Sequence, residues 1–123
     1  MLYSPYIAAV LSLLLIALSL NISRLRLVHK VSFGDGGIKE LTWAIRAHGN
    51  SLEQAVVFTL LIYFVETAAE AGATAVLALG AAFVLARILY CLALFTRRLL
   101  VRQLAHALTQ LLQIAAALII LAN

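Results

Sequence analysis

Long apolar stretches separated by short polar segments constrain this chain more than any other feature. A helix that crosses a bilayer needs ~20 mostly apolar residues, so four such spans would use most of the 123 residues. Hydrophobic residues make up 65% of the chain and charged residues only 11%, whereas soluble domains are ~45–50% apolar. We therefore expect an all-α integral membrane protein, a four-helix bundle that forms a single domain over residues 1–123.

Capping residues and helix breakers predict helices at about 4–30, 40–71, 73–96 and 98–122. Ser4 followed by Pro5 is typical of a helix start, with Ser4 as the N-cap and Pro5 as the first helical residue, and the D-G and G-G dipeptides of VSFGDGGIKE indicate a loop after the first helix. The positive charges of NISRLRLVHK follow the first apolar run, whereas a signal peptide carries its charges before that run. We therefore expect the first span to stay in the protein.

Basic residues gather at two of the three expected loops. Those at the first and third loops are Arg24, Arg26, Lys30, Lys39, Arg97, Arg98 and Arg102. Because cytoplasmic loops carry the excess of Lys and Arg, we expect loops 1 and 3 in the cytoplasm and both termini outside. The net charge of +4 comes without a basic stripe of interleaved aromatics, so we expect no nucleic-acid partner. The scattered histidines and the single cysteine predict no metal site.

Polar residues inside the spans fall on helix faces. These are Arg46, Asn50 and Glu53 on helix 2, Arg87 and Tyr90 on helix 3, and Arg102, His106, Thr109 and Gln113 on helix 4. At 1.5 Å per residue, Glu53 and Arg87 lie at similar depths, so the two side chains are expected to be able to meet. Charged residues inside a membrane are functional candidates by default.

One carboxylate cannot neutralise three arginines, Arg46, Arg87 and Arg102. The surplus positive charge favours an anionic ligand, because a guanidinium group binds carboxylates with two parallel hydrogen bonds. The alternative is an ion pair between Glu53 and Arg46 or Arg87 that only holds helices together. Either way, these residues form the candidate site.

Several motifs resemble those of the MAPEG superfamily, the membrane-associated proteins in eicosanoid and glutathione metabolism. The likeness covers nearly the whole chain and is greatest toward small bacterial members. It rests on RLR closing the first span, AIRAHGNSLEQ opening the second, ARILY late in the third and RQLAHALTQL opening the fourth. It implies a homotrimer in a bacterial inner membrane, with glutathione bound between neighbouring chains in the cytoplasmic half.

The resemblance also assigns roles to residues. It implies that glutathione is bound by Arg46, Asn50, Glu53, Arg87 and Tyr90, with Arg24 or Arg26 reaching from helix 1. From the residues alone, Arg24 and Arg26 are more typical of anchors at the membrane surface than of ligands. Arg102 matches the arginine that family enzymes place near the glutathione sulfur, which makes it the catalytic candidate.

The implied activity is that of a glutathione transferase that can also have peroxidase activity, in which an arginine-stabilised thiolate attacks a lipophilic electrophile from the bilayer. Gly49 and Leu94 stand where eicosanoid-forming members carry an arginine and a tyrosine, which argues against eicosanoid synthesis and leaves turnover itself open. The first alternative is a non-catalytic protein of the same fold that binds glutathione or another small anion. The second is a small four-span transporter, although the first span lacks the acid such transporters use.

Overall fold

The computed structural model describes all residues from Met1 to Asn123 and confirms the all-α fold. Its helices are α1 (Ser4–His29), α2 (Lys39–Thr67), α3 (Ala73–Phe95) and α4 (Leu99–Leu121). Helix α2 ends at Thr67 rather than near residue 71, and the other bounds lie within one residue of those predicted. Helices α1, α3 and α4 are long and apolar enough to cross a membrane. Helix α2 has 29 residues and carries its polar residues mainly in its first half.

The two middle helices hold the bundle together. Helices α2 and α3 each contact all the others, whereas α1 and α4 do not contact each other. The α1–α2 and α3–α4 loops lie at the same end, where the guanidinium of Arg97 stacks on the ring of Trp43 at 4.2 Å. We call this the basic end, because the basic residues of both loops lie there.

A network of hydrogen bonds shapes the α1–α2 loop at the basic end. The carboxylate of Asp35 accepts from the backbone N–H of Gly37 (2.9 Å) and the hydroxyl of Thr42 (2.8 Å). These two bonds, the first more than the second, lower the pKa of the Asp35 carboxyl below its ordinary value. Arg26 donates to the carbonyl of Gly34 at 2.8 Å. Glycine is favoured at position 37, because Gly37 has a φ of 73°, in the left-handed region that other residues rarely adopt.

At the opposite end, a carboxylate from α2 caps α1. Glu66 accepts hydrogen bonds from the backbone N–H groups of Tyr3 (2.6 Å) and Ser4 (2.8 Å). The first N–H groups of a helix have no partner within the helix, and a negative charge there is favourable. The expected Ser4 cap is therefore corrected: Ser4 lies inside α1, Tyr3 is the N-cap, and Glu66 supplies the acceptors.

The core consists of apolar clusters separated by a polar layer. Toward the opposite end, the rings of Phe58 and Phe83 stack at a centroid distance of 3.8 Å inside one cluster. Toward the basic end, a second cluster contains Leu18, Tyr90 and Leu94. The side chains between these two clusters are polar and belong to the candidate site.

Helices α1 and α3 approach closely at Gly80. A β-carbon on Gly80 would overlap the side chain of Ile7, and small residues allow membrane helices to pack at this separation. Gly49 differs, because no atom lies within 4 Å of the place where its β-carbon would stand.

We predict that Gly80→Ala lowers the free energy of unfolding in detergent by ~1–3 kcal/mol, the usual cost of overpacking. Gly49→Ala is the matched control and should stabilise the protein by ~0.5–1 kcal/mol, because alanine favours a helix over glycine. Chemical unfolding followed by circular dichroism measures both values. Equal effects of the two substitutions would show that α1 and α3 do not depend on this contact.

Candidate functional site

The centre of the polar layer is Arg87, a fully buried arginine with no carboxylate partner. Its terminal nitrogens donate to Asn50 Oδ1 at 2.6 Å, Ser51 Oγ at 2.9 Å and Thr109 Oγ1 at 3.4 Å. The guanidinium carbon also lies 4.4 Å from the centre of the Tyr90 ring. The only contact in the chain between a basic and an acidic side chain is that of His29 Nε2 with Glu40 Oε2 at 3.7 Å, in the first loop region. Neutral groups alone therefore surround the Arg87 charge, and its Nε has no acceptor.

These partners come from three helices at one level. Counting from the basic end at 1.5 Å per residue, Arg87 lies ~12 Å along α3, Asn50 ~17 Å along α2 and Thr109 ~15 Å along α4. Helix periodicity places each side chain toward the other two. The layer therefore lies in the half of the bundle nearer the basic end.

A cavity of about 380 Å³ lies between α2, α3 and α4 beside this layer. It is lined by Arg46, Asn50, Tyr90, Arg102, Gln103, His106 and Ala107. Four of the predicted site residues therefore meet in one place, and Arg87 lies directly behind Tyr90. No carboxylate lines the cavity, and neither Arg46 nor Arg102 forms an ion pair within the chain.

The expected meeting of Glu53 with Arg87 is wrong. Glu53 is exposed and forms no ion pair or hydrogen bond in the chain. The reason is rotation along the helix: at ~100° per residue, Ser51 lies ~100° from Asn50 and Gln54 lies ~40° from it in the same direction. Glu53 is rotated ~60° the other way, so it faces away from α3 and α4.

The two arginines of helix 1 do not reach this cavity. Arg24 donates to Asn21 Oδ1 at 2.9 Å and lines a separate cavity of about 570 Å³ with Trp43 and Arg97. Arg26 donates a hydrogen bond to the carbonyl of Gly34 and so stabilises the α1–α2 loop. Within one chain, neither residue lines the cavity that contains Arg46 and Arg102.

Sequence reasoning placed Thr109 and Gln113 on the polar face of helix 4 but missed Ser51, Gln54 and Gln110. Ser51 and Thr109 accept hydrogen bonds from Arg87, and Gln54 bonds to Gln110 and Gln113 on α4. Gln54 continues the spacing of Arg46 and Asn50 as i, i+4, i+8, and that continuation was the available signal.

Electrostatically, the cavity suits a small organic anion. Two exposed or half-exposed guanidinium groups line it, a third cation lies behind its wall, and nothing acidic offsets them. Its volume lies in the ~300–1,000 Å³ range of small-molecule sites. The fold and the site together define a polytopic helical membrane protein with an arginine-rich intramembrane cavity.

The chain matches the model of the MAPEG family over residues 4–122 and belongs to that family. Two relatives, the inner membrane protein YecN of Escherichia coli K12 and that of Escherichia coli O6:H1, are each 41% identical to it over 63 residues. That stretch is 51% of this chain and 48% of each relative, so the match spans about half the length of these proteins. No solved structure matches the chain.

We predict that Asn50→Leu lowers the free energy of unfolding by ~1.5–3 kcal/mol, the usual value of a hydrogen bond to a charged group. The loss arises because Arg87 would stay buried with one acceptor fewer. Arg46→Leu removes an exposed side chain one turn earlier that has no partner in the chain, so its effect should stay within ~0.5 kcal/mol. Unfolding of both variants in detergent measures the difference, and equal losses would contradict the role given to Asn50.

Proposed function

We propose that this protein binds glutathione in the cavity lined by Arg46 and Arg102 and transfers it to lipophilic electrophiles. The observation that carries the proposal is the presence of two unpaired arginines in a cavity without a carboxylate. Membership of the MAPEG family supports the choice of glutathione among small anions. The relatives are named as inner membrane proteins, and we place this protein in the same membrane. By the positive-inside rule, its basic end then faces the cytoplasm and both of its termini lie on the other side of the membrane.

The chemical groups of glutathione fit these residues in part. One of its two carboxylates matches the guanidinium group of Arg46, which can bind a carboxylate through two hydrogen bonds, and its thiol matches Arg102. Its ammonium group needs an acid, and the cavity of a single chain has none. Glu53 is the acid nearest in sequence, but it lies on the outer face of α2.

A second copy of the chain would complete the fit. Arg46 and Glu53 are exposed on α2, and charged side chains that face lipid are costly in a helix packed within a membrane bundle. We therefore propose a homotrimer in which the neighbouring chain covers this face of α2. The site would then lie between chains, with Glu53 available for the ammonium group.

In the proposed reaction, Arg102 stabilises the thiolate of glutathione. A cation beside a thiol favours its charged form, and the thiolate is the nucleophile. The sulfur bonds to an electrophilic carbon of a substrate from the bilayer, and the leaving group departs with the bonding electrons. Tyr90 and His106 line the cavity beside Arg102. Leu94 is buried in the apolar cluster next to them and donates no hydrogen bond.

Calorimetry with glutathione and thiolate absorbance, both on detergent-purified protein, test this proposal. We predict that Arg46→Ala weakens binding about tenfold or more, since a charge-assisted hydrogen bond contributes ~1.5–3 kcal/mol. Arg102→Ala should abolish the thiolate signal. Lys39→Ala is the control, because it removes an exposed charge at the basic end outside the cavity, and it should change neither readout.

Each other outcome has a definite meaning. Binding without any thiolate signal in the unmodified protein would favour the non-catalytic alternative, a protein that carries glutathione. Full thiolate formation in Arg102→Ala would refute the role of that residue. Failure of the folded, unmodified protein to bind glutathione would refute the glutathione proposal as a whole.

A further inference from the structure

Three glutamines form a hydrogen-bonded group between α2 and α4. Gln54 Oε1 accepts from Gln110 Nε2 at 3.1 Å and from Gln113 Nε2 at 2.5 Å. Gln110 Nε2 also lies 3.4 Å from His106 Nε2, and His106 lines the arginine cavity. We call Gln54, Gln110 and Gln113 the amide cluster. It is continuous with the cavity through His106.

The amide cluster lies deeper in the membrane than the cavity. Counted from the basic end at 1.5 Å per residue, Gln54 lies ~22 Å along α2 and Gln113 ~21 Å along α4. The hydrocarbon core of a bilayer is ~30 Å thick, so these amides lie well inside it. Beyond them, toward the opposite end, the core is the apolar cluster that contains Phe58, Ile62 and Ala116. The amide cluster is therefore the deepest part of the polar region that begins at the arginine cavity.

Hydrogen-bonding capacity in the cluster exceeds what the chain uses. Each primary amide offers two N–H donors and one carbonyl acceptor. The amide nitrogen of Gln54 and the carbonyl oxygens of Gln110 and Gln113 have no partner in the chain, and none of these atoms is fully buried. An amide without a partner in hydrocarbon costs several kcal/mol. These atoms therefore require a hydrogen-bonding partner from outside the chain.

The position of the amide cluster indicates that its missing hydrogen-bonding partner is a ligand rather than a second copy of the chain. The face of α2 that carries the exposed charges of Arg46 and Glu53 is the one expected to meet a neighbouring chain. Gln54 is rotated ~100° from Glu53, toward α4 and the cavity. The cluster also has no charged member, so it suits an uncharged dipolar group.

We propose that the amide cluster binds a carbonyl or hydroxyl group of a lipophilic ligand that enters from the bilayer. This inference deepens the proposed function and rests on it for the identity of the reaction. Arg102 and Gln110 are ~12 Å apart along α4. The second substrate would thus carry its electrophilic carbon near Arg102 and its carbonyl or hydroxyl group about that distance farther along the molecule.

Photolabelling without glutathione tests the cluster independently of turnover. The probes are a long-chain primary alcohol that carries a diazirine and the matching diazirine alkane without the hydroxyl. In the unmodified protein in lipid, we expect the alcohol to label the α2 and α4 peptides around Gln54 and Gln113 about threefold to tenfold more than the alkane, the effect of a typical hydrogen bond. Mass spectrometry locates the label.

The double variant Gln54→Leu with Gln113→Leu should remove this preference. Thr59→Val is the matched control, because it also replaces a polar side chain of α2 beyond the cavity but touches no member of the cluster. Equal labelling by both probes in the unmodified protein, or an unchanged preference in the double variant, would overturn the proposal. A Gln113→Cys variant that forms disulfide-linked dimers in the membrane would assign the cluster to a second copy and would also overturn it. Failure of glutathione binding would leave these results interpretable.

Discussion

Burial of the Arg87 guanidinium without a counter-ion is the constraint on which the rest of this structure depends. A charge inside a membrane is stable only when the protein replaces its hydration. Here Asn50, Ser51 and Thr109 supply three acceptors and Tyr90 supplies a ring face. These groups come from α2, α3 and α4, so satisfying one cation fixes the rotation of three helices. The same requirement divides the apolar core into its two main clusters.

The choice of neutral partners has an electrostatic consequence. A carboxylate beside Arg87 would have cancelled its charge, whereas hydroxyl and amide oxygens only orient toward it. The positive potential therefore persists at the cavity next to Tyr90, where Arg46 and Arg102 add to it. A small anion bound there would be attracted by all three cations, and one of them, Arg87, is already desolvated and held by its hydrogen bonds. The same interaction thus stabilises the fold and prepares the site.

Much of this organisation follows from the sequence, because it depends on composition and helical spacing. The apolar runs predicted the helices, and the spacing of Arg46, Asn50, Arg102 and His106 predicted that polar faces would meet. Rotation within a helix face was harder to predict. Glu53 and Gln54 are adjacent, yet only the packing of α2 against α3 and α4 determines which of them points inward. The roles of Arg26 and Glu66 likewise depend on contacts with backbone groups, which carry no sequence signal.

A double-mutant cycle on the stability of the assembled protein tests the central claim most directly. It compares the coupling of Arg87→Met with Asn50→Leu against the coupling of Arg87→Met with Glu53→Gln. We expect a coupling of ~1–3 kcal/mol for the first pair and, for the second, a value within the ~0.5 kcal/mol that independent sites show. A larger coupling with Glu53 would mean that a carboxylate neutralises Arg87 in the assembled protein, which would contradict this account.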